Sequence, residues 1–165
     1  MYLFDYKSEI RKYIINYKFY DKTYLYIFLA NIIIKNKKVC EFLNCYDIIT
    51  PVPMHYLKKW QRGYNQTALI ARKISIDTEE LEYIEILKKI KNTKSQSSLN
   101  KEQRLNNVQN VYRAKEKYIE YIKNKNILIF DDVYTTGSTV NECAKELNKY
   151  TKEKIGVLTI AKDII

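Results

Sequence analysis

Four consecutive apolar residues, Ile127-Leu128-Ile129-Phe130, run directly into two carboxylates, Asp131 and Asp132. A strand that is apolar at every position has both faces covered, which is the condition of an interior strand in a parallel sheet. Open sheets of that kind bind ligands beyond the C-terminal ends of their strands. This one segment therefore directs the chain to an α/β fold and puts an acidic pair on the binding edge. A helical pattern from Ser138 to Lys149 and a β-branched run from Ile155 to Ile160 complete a strand–helix–strand unit. We expect a sheet of about four or five strands with helices on both faces.

The remaining elements are read from apolar spacing. Residues 5–19 repeat apolar side chains every three or four positions (Ile10, Ile14, Tyr17), which predicts a helix with one buried face. A second, more apolar helix is expected over about Lys22 to Lys35, and Cys40 to Asn44 is ambiguous. Tyr46 to Thr50 reads as a strand stopped by Pro51 and Pro53. Tyr64 to Ser75 reads as a helix, and residues 83–88 as a strand with Ile84 and Ile86 on one face. Lys91 to Ser98 reads as a polar loop. Asn100 and Gln103 have the spacing of a helix N-terminal capping pair. Val108 to Tyr112 alternates like a strand.

Beyond the acidic pair come Thr135, Thr136, Gly137, Ser138 and Thr139. Gly137 opens a backbone conformation closed to other residues. Backbone N–H groups at such a turn, with a helix N-terminus behind them, form an anion cradle. A phosphate held there would leave Asp131 and Asp132 about one sugar away, at the hydroxyls of a ribose. The segment is not a Walker A loop, which needs Gly-x-x-x-x-Gly-Lys, nor a dinucleotide fingerprint, which needs three glycines. Two other readings stay open on residue types alone. One is a receiver-like acidic Mg²⁺ pocket; the other is plain helix capping by Ser138 or Thr136 beside a solvated acidic pair.

Composition bounds the rest. The chain has 165 residues, the size of one domain, and 46% of them are hydrophobic, which excludes disorder or a repeat fibre. Three cysteines without framework spacing and a single histidine, His55, argue against a four-ligand zinc site and suit a reducing, cytoplasmic setting. No apolar run reaches the length of a membrane span. The net charge of +10 favours anionic partners. The abundance of Lys, Asn, Ile and Tyr also follows from an AT-biased genome.

The order of motifs carries a family resemblance. Asp-Asp-Val-x-Thr-Thr-Gly-Ser-Thr after an apolar strand resembles the phosphoribosyl pyrophosphate (PRPP) signature of type I phosphoribosyltransferases. Pro51-Val52-Pro53-Met54-His55 followed by Gln61-Arg62-Gly63-Tyr64-Asn65-Gln66 resembles elements of the competence protein F (ComF) family. So does Thr93-Lys94-Ser95-Gln96-Ser97-Ser98-Leu99 followed by Arg104-Leu105-Asn106-Asn107-Val108. Tyr17-Lys18 resembles an early Tyr-Lys pair of that family. The cysteine-rich zinc-binding segment that many relatives carry has no counterpart ahead of it.

The resemblance implies a type I phosphoribosyltransferase-like α/β domain over residues 1–165, with an open, mostly parallel core over 46–165 under a small helical hood over 1–45. It implies Mg²⁺ and PRPP, or a related ribose-phosphate, as ligands. Asp131 and Asp132 would be the catalytic carboxylates and indirect contacts of the metal. The phosphate and ribose would meet Asp131, Asp132, Thr135, Thr136, Gly137, Ser138 and Thr139. Pro53, Met54, His55 and Arg62 would form the pyrophosphate loop, and Thr93, Gln96 and Arg104 a stretch that closes over it. Where relatives carry an arginine before that stretch, this chain offers Lys89 or Lys91.

The implied reaction is phosphoribosyl transfer to a nitrogen nucleophile. Thr135 stands where purine-salvage relatives place an Asp, which argues against a purine acceptor or against ordinary transfer. The rival reading is a non-catalytic component of DNA uptake that binds single-stranded DNA and works beside competence helicase-type proteins. Trp60 with Lys58 and Lys59 fits either base stacking or, the preferred reading, an anchor against a neighbouring helix. Tyr6, Tyr13, Tyr17 and Tyr24 fit an acceptor grip or a homodimer face.

Overall fold

A computed structural model describes residues 1–19, 22–93 and 110–163. Its centre is the strand expected from the apolar run, β6 (Ile127–Tyr134). Ile127, Leu128, Ile129 and Phe130 are all 0% exposed, and burying each side chain stabilises the fold by roughly 1.5–3 kcal/mol. The neighbours of β6 are β2 (Ile48–Pro51) and β7 (Ile155–Lys162). The outer positions are taken by β3 (Glu82–Tyr83) beside β2 and β1 (Tyr2–Asp5) beside β7. The order is β1-β7-β6-β2-β3, and every pair is parallel.

Alternation along the strands divides the core in two. Leu128 and Phe130 face a layer made of α1 (Ser8–Phe19), α2 (Leu25–Ile34), α3 (Lys37–Leu43) and α5 (Gln66–Thr78). Ile127 and Ile129 face the other layer. That layer holds α7 (Ser138–Leu147) and a two-stranded antiparallel sheet of β4 (Leu87–Lys89) with β5 (Tyr112–Ala114). The short α6 (Glu116–Ile119) follows β5.

Three expectations need correction, and one helix was not foreseen. Residues 2–5 are not the start of a helical hood but the edge strand β1, which pairs with β7; three of its four residues are exposed, so no apolar alternation marked it. The strand expected over 83–88 is two strands in different sheets, with Ile84 and Ile86 buried between them. The strand expected over Val108 to Tyr112 is β5 and starts at Tyr112. Residues 56–62, within the stretch between Pro53 and Gly63, form α4 (Tyr56–Arg62), which buries no residue and so lacks an apolar period. Gly63 ends α4 at φ +77°, a conformation that suits glycine. Cys40 to Asn44 falls mostly in α3. The capping pair Asn100 and Gln103 lies outside the described residues. Among the described residues no helix is long and apolar enough to cross a membrane.

Candidate functional site

The parallel strands end on one edge, where a cleft of about 490 Å³ opens. Because β6 alternates, its two carboxylates leave on opposite walls. Asp132 continues the side of Leu128 and Phe130, where α1 passes. The Lys18 ammonium reaches from α1 to Asp132 Oδ2 at 2.8 Å, and the Asp132 side chain is 11% exposed. Burial pulls Lys18 downward, but Asp132, and Asp131 behind it, outweigh that and hold the ammonium above its ordinary value.

Asp131 continues the side of Ile127 and Ile129, toward α7 and the β4–β5 sheet. Its Oδ1 accepts the backbone N–H of Asp132 at 2.9 Å, and it forms no ion pair among the described residues. Burial first, then the charge of Asp132, push the Asp131 carboxyl well above the usual carboxylate range. Across this wall stands Lys89 of β4, whose ammonium is pulled down to about 8 by burial and then by Lys58. Lys58 itself is lowered by burial and by Arg62, and donates to the Thr93 carbonyl at 3.0 Å.

The far side of the cleft is anchored from the end of β2. Asn65 Nδ2 donates to the Val52 carbonyl at 3.1 Å, and the single Thr67 hydroxyl proton is shared between that carbonyl at 3.1 Å and Asn65 Oδ1 at 2.9 Å. These bonds hold the first turn of α5 against the Pro53–Met54 loop. Between them Gln66 lines the cleft at 2% exposure, and its side-chain Nε2 has no hydrogen-bond partner among the described residues. An amide donor buried without a partner is uncommon and calls for an explanation. The Gln66 carbonyl accepts from Tyr17 Oη at 2.8 Å.

The turn after β6 enters α7 through Gly137 at φ +73°. That conformation favours glycine, and a Cβ there would stand 2.2 Å from the Tyr134 hydroxyl, which would have to move aside. Tyr134 packs over this turn. Thr136 and Ser138 hydroxyls lie 2.9 Å apart, and the Ser138 N–H points to Thr136 Oγ1 at 3.4 Å.

Several expected site residues meet at this cleft: Pro53, Met54, Arg62, Asp131, Asp132, Thr135 and Thr139 line it. Thr136, Gly137 and Ser138 shape the turn but are not part of the lining. His55 is not among the lining residues: it is 5% exposed, its Nδ1 accepts the Leu57 N–H at 3.4 Å as the cap of α4, and its ring lies tilted against Tyr56 at 4.5 Å. Thr93 contributes its carbonyl to Lys58 rather than a side chain to the lining. Gln96 and Arg104 lie outside the described residues. Trp60 is no anchor against a helix, being 84% exposed on a helix that packs nothing away. Of the N-terminal tyrosines, Tyr6 lines the cleft, Tyr13 packs on Phe28, Tyr17 is fully buried and Tyr24 is exposed.

Lys18, Lys89 and Gln66 are the residues that local spacing does not mark. Lys18 meets Asp132 across 114 positions of chain; its only signal was the Tyr17-Lys18 pair. Of Lys89 and Lys91, Lys89 is the one that lines the cleft. In all, the lining carries five cationic side chains (Arg11, Lys18, Lys58, Arg62, Lys89) against three carboxylates (Asp131, Asp132, Asp163), so the site favours an anion.

Mg²⁺ keeps several waters and binds through one or two carboxylates plus substrate phosphates. The pair fits that habit. No group of three or more His, Cys, Asp or Glu gathers among the described residues, and Asp132 is already engaged by Lys18. The donor set suits an ion that arrives on the oxygens of its ligand.

Comparison with known proteins agrees with this geometry. The family model for the phosphoribosyl transferase domain matches residues 62–164. Competence protein F of Haemophilus influenzae is 32% identical over 136 residues, which are 81% of this chain and 58% of that protein. DNA utilization protein YhgH of Escherichia coli is 32% identical over 101 residues, 61% of this chain and 43% of that protein. The chain thus spans about half the length of the curated relatives it matches.

Proposed function

Because the chain belongs to the phosphoribosyl transferase domain family, and within it to the relatives of competence protein F, we propose that its cleft binds PRPP, or a closely related ribose-phosphate, together with Mg²⁺. The observation that carries this reading is the carboxylate pair at the end of the central parallel strand, facing a cation-rich cleft and followed by a glycine-favouring turn into α7.

In this reading the ribose hydroxyls bond to Asp131 and Asp132, and the 5-phosphate sits at the turn from Thr135 to Thr139 and the start of α7. The pyrophosphate lies toward Pro53 and Met54, within reach of Lys58, Arg62, Lys89 and the Gln66 amide. Mg²⁺, when bound, neutralises pyrophosphate charge and makes it a better leaving group. The protein's share is positioning and charge compensation in a cleft of low dielectric. Lys18 holds Asp132 in place before ligand arrives. Lys89 and Asp131 complete their electrostatics only when an anion and a cation are bound.

We further propose transfer of the phosphoribosyl group to a nitrogen nucleophile, in the setting of DNA uptake or use that the names of the relatives suggest. Calorimetric titration of PRPP with and without Mg²⁺ tests the binding step. Saturable, Mg²⁺-dependent heat that is lost in Asp131→Asn/Asp132→Asn is the expected result. No heat at millimolar PRPP overturns it. Labelled single-stranded DNA is then the next ligand to titrate.

A further inference from the structure

The ribose-phosphate reading uses the β2 side of the cleft and leaves the opposite end without a role. Past the ends of β7 and β1 a recess of about 410 Å³ opens between Tyr6, Lys7, Arg11 and Asp163. Tyr6, Arg11 and Asp163 also line the main cleft, so the two spaces join. Two backbone bonds fix the rim. The Tyr6 N–H donates to the Lys162 carbonyl at 2.8 Å, and the Asp163 N–H donates to the Tyr134 carbonyl at 2.8 Å. Asp163 is thereby held just beyond β7, beside the end of β6.

Arg11 and Lys18 are seven residues apart on α1, about two turns, and share one face of that helix. They differ in what they meet. Lys18 closes on Asp132. The Arg11 guanidinium makes no ion pair among the described residues, and neither does Lys7.

Displacement at a sugar's anomeric carbon brings the nucleophile in on the face opposite the leaving group. In the sheet order β1-β7-β6-β2-β3, the pyrophosphate end lies on the β2 side of the carboxylates. The nucleophile then approaches from the β7–β1 side, which is where the recess stands. We infer that the recess lined by Tyr6, Arg11 and Asp163 is the acceptor site, and that the acceptor is a small nitrogen compound bearing a carboxylate. This rests on the ribose-phosphate reading.

The charge pattern selects that class. A guanidinium fork matches a planar carboxylate in two parallel hydrogen bonds. Both cations are exposed, so a neutral acceptor would leave them to water, whereas a carboxylate gives Arg11 a charged partner. A dianion would crowd Asp163, so a monoanion fits best. In the transfer, the nitrogen lone pair forms the C1–N bond, and the C1–O bond breaks with its electrons leaving on pyrophosphate. The nitrogen's proton passes to the Asp163 carboxylate.

The test uses 4-aminobenzoate, an amine with a carboxylate, against its neutral counterpart 4-aminobenzamide. Both are titrated into the full chain saturated with Mg²⁺ and ribose 5-phosphate, following the arginine side-chain N–H resonances by NMR. The expected result is a saturable shift of the Arg11 resonance and at least about fivefold tighter binding of the carboxylate. Arg11→Gln should remove both the resonance and the preference. Lys12→Gln, on a well-exposed residue of the same helix, should keep both. Equal affinity for the two compounds, a preference that survives Arg11→Gln, or no arginine shift up to about 20 mM overturns the acceptor site. If the wild type fails to bind ribose 5-phosphate, the ribose-phosphate reading falls. The arginine shift, measured on the protein alone, still decides whether the recess takes a carboxylate.

Discussion

Asp131 and Asp132 are neighbours in sequence and opposites in circumstance. Strand alternation turns Asp132 to the wall of α1, where Lys18 meets it at 2.8 Å. It turns Asp131 to the wall of β4, β5 and α7, where burial and the adjacent charge raise its carboxyl. On that same wall burial lowers Lys89. One wall has its charges satisfied before any ligand arrives. The other holds a carboxylate and an ammonium that are both biased toward neutrality. Perturbed groups of this kind gather at functional sites because the missing charges arrive with the ligand. The difference teaches which wall supports the fold and which one waits for chemistry.

The largest effect expected from this contrast is in Lys18→Met. Removing one partner of a buried ion pair costs 3–5 kcal/mol when burial is complete, and Lys18 is about a quarter exposed, so a loss of about 2–3 kcal/mol is expected in urea unfolding. A loss too small to measure would place Lys18 among surface pairs and break the contrast. Lys89→Met should behave in the opposite way. It deletes a desolvated ammonium whose contact is the Tyr112 ring at 5.8 Å, so stability should hold or rise slightly, while PRPP affinity falls about 10–100-fold by calorimetry.

Lys89 also sets a pH dependence. In the free protein its ammonium is depressed to about 8, so between there and its ordinary 10.5 the unfolded chain binds more protons. Stability therefore rises with pH across that window. An anionic ligand favours the charged form, so affinity should fall as pH rises through about 8. Lys89→Arg, which stays charged, should flatten the profile. A profile that stays steep in Lys89→Arg assigns the titration to another group.

The smallest effect should be in Gln66→Leu. The amide has no partner to lose among the described residues, so the melting temperature should stay or rise, while affinity for Mg²⁺-pyrophosphate falls about fivefold. A loss of stability with unchanged affinity would make Gln66 part of the frame rather than of the site.

What sequence could convey about this molecule follows from the range of each interaction. β6, its carboxylates and the turn to α7 were legible because an apolar run, an acidic pair and one glycine are contiguous. The helices α1, α2, α5 and α7 were legible because each buries a periodic face. β1 was not, since an exposed edge strand of four residues is set by pairing with β7 more than 150 positions away. α4 was not, since it buries nothing. The cleft's residue types were half legible. Asp131, Asp132, Arg62, Thr135 and Thr139 stand in recognisable motifs. Lys18 and Gln66 acquire meaning only when α1 and α5 are brought over the strand ends, and His55 takes the cap of α4, a place that no local spacing marked.

The most direct test melts Asp131→Asn and Asp132→Asn side by side near neutral pH, each with and without Mg²⁺ and PRPP. Asp131→Asn removes a carboxylate whose folded-state carboxyl is raised. The wild type gives up stability as pH climbs out of the ordinary carboxylate range, and the variant does not, so it should melt about 2–4 °C higher. Asp132→Asn leaves the Lys18 ammonium without its partner and should melt lower. Both variants should lose the stabilisation that the ligand confers on the wild type. Shifts in the same direction, or ligand stabilisation retained in either variant, would contradict the account.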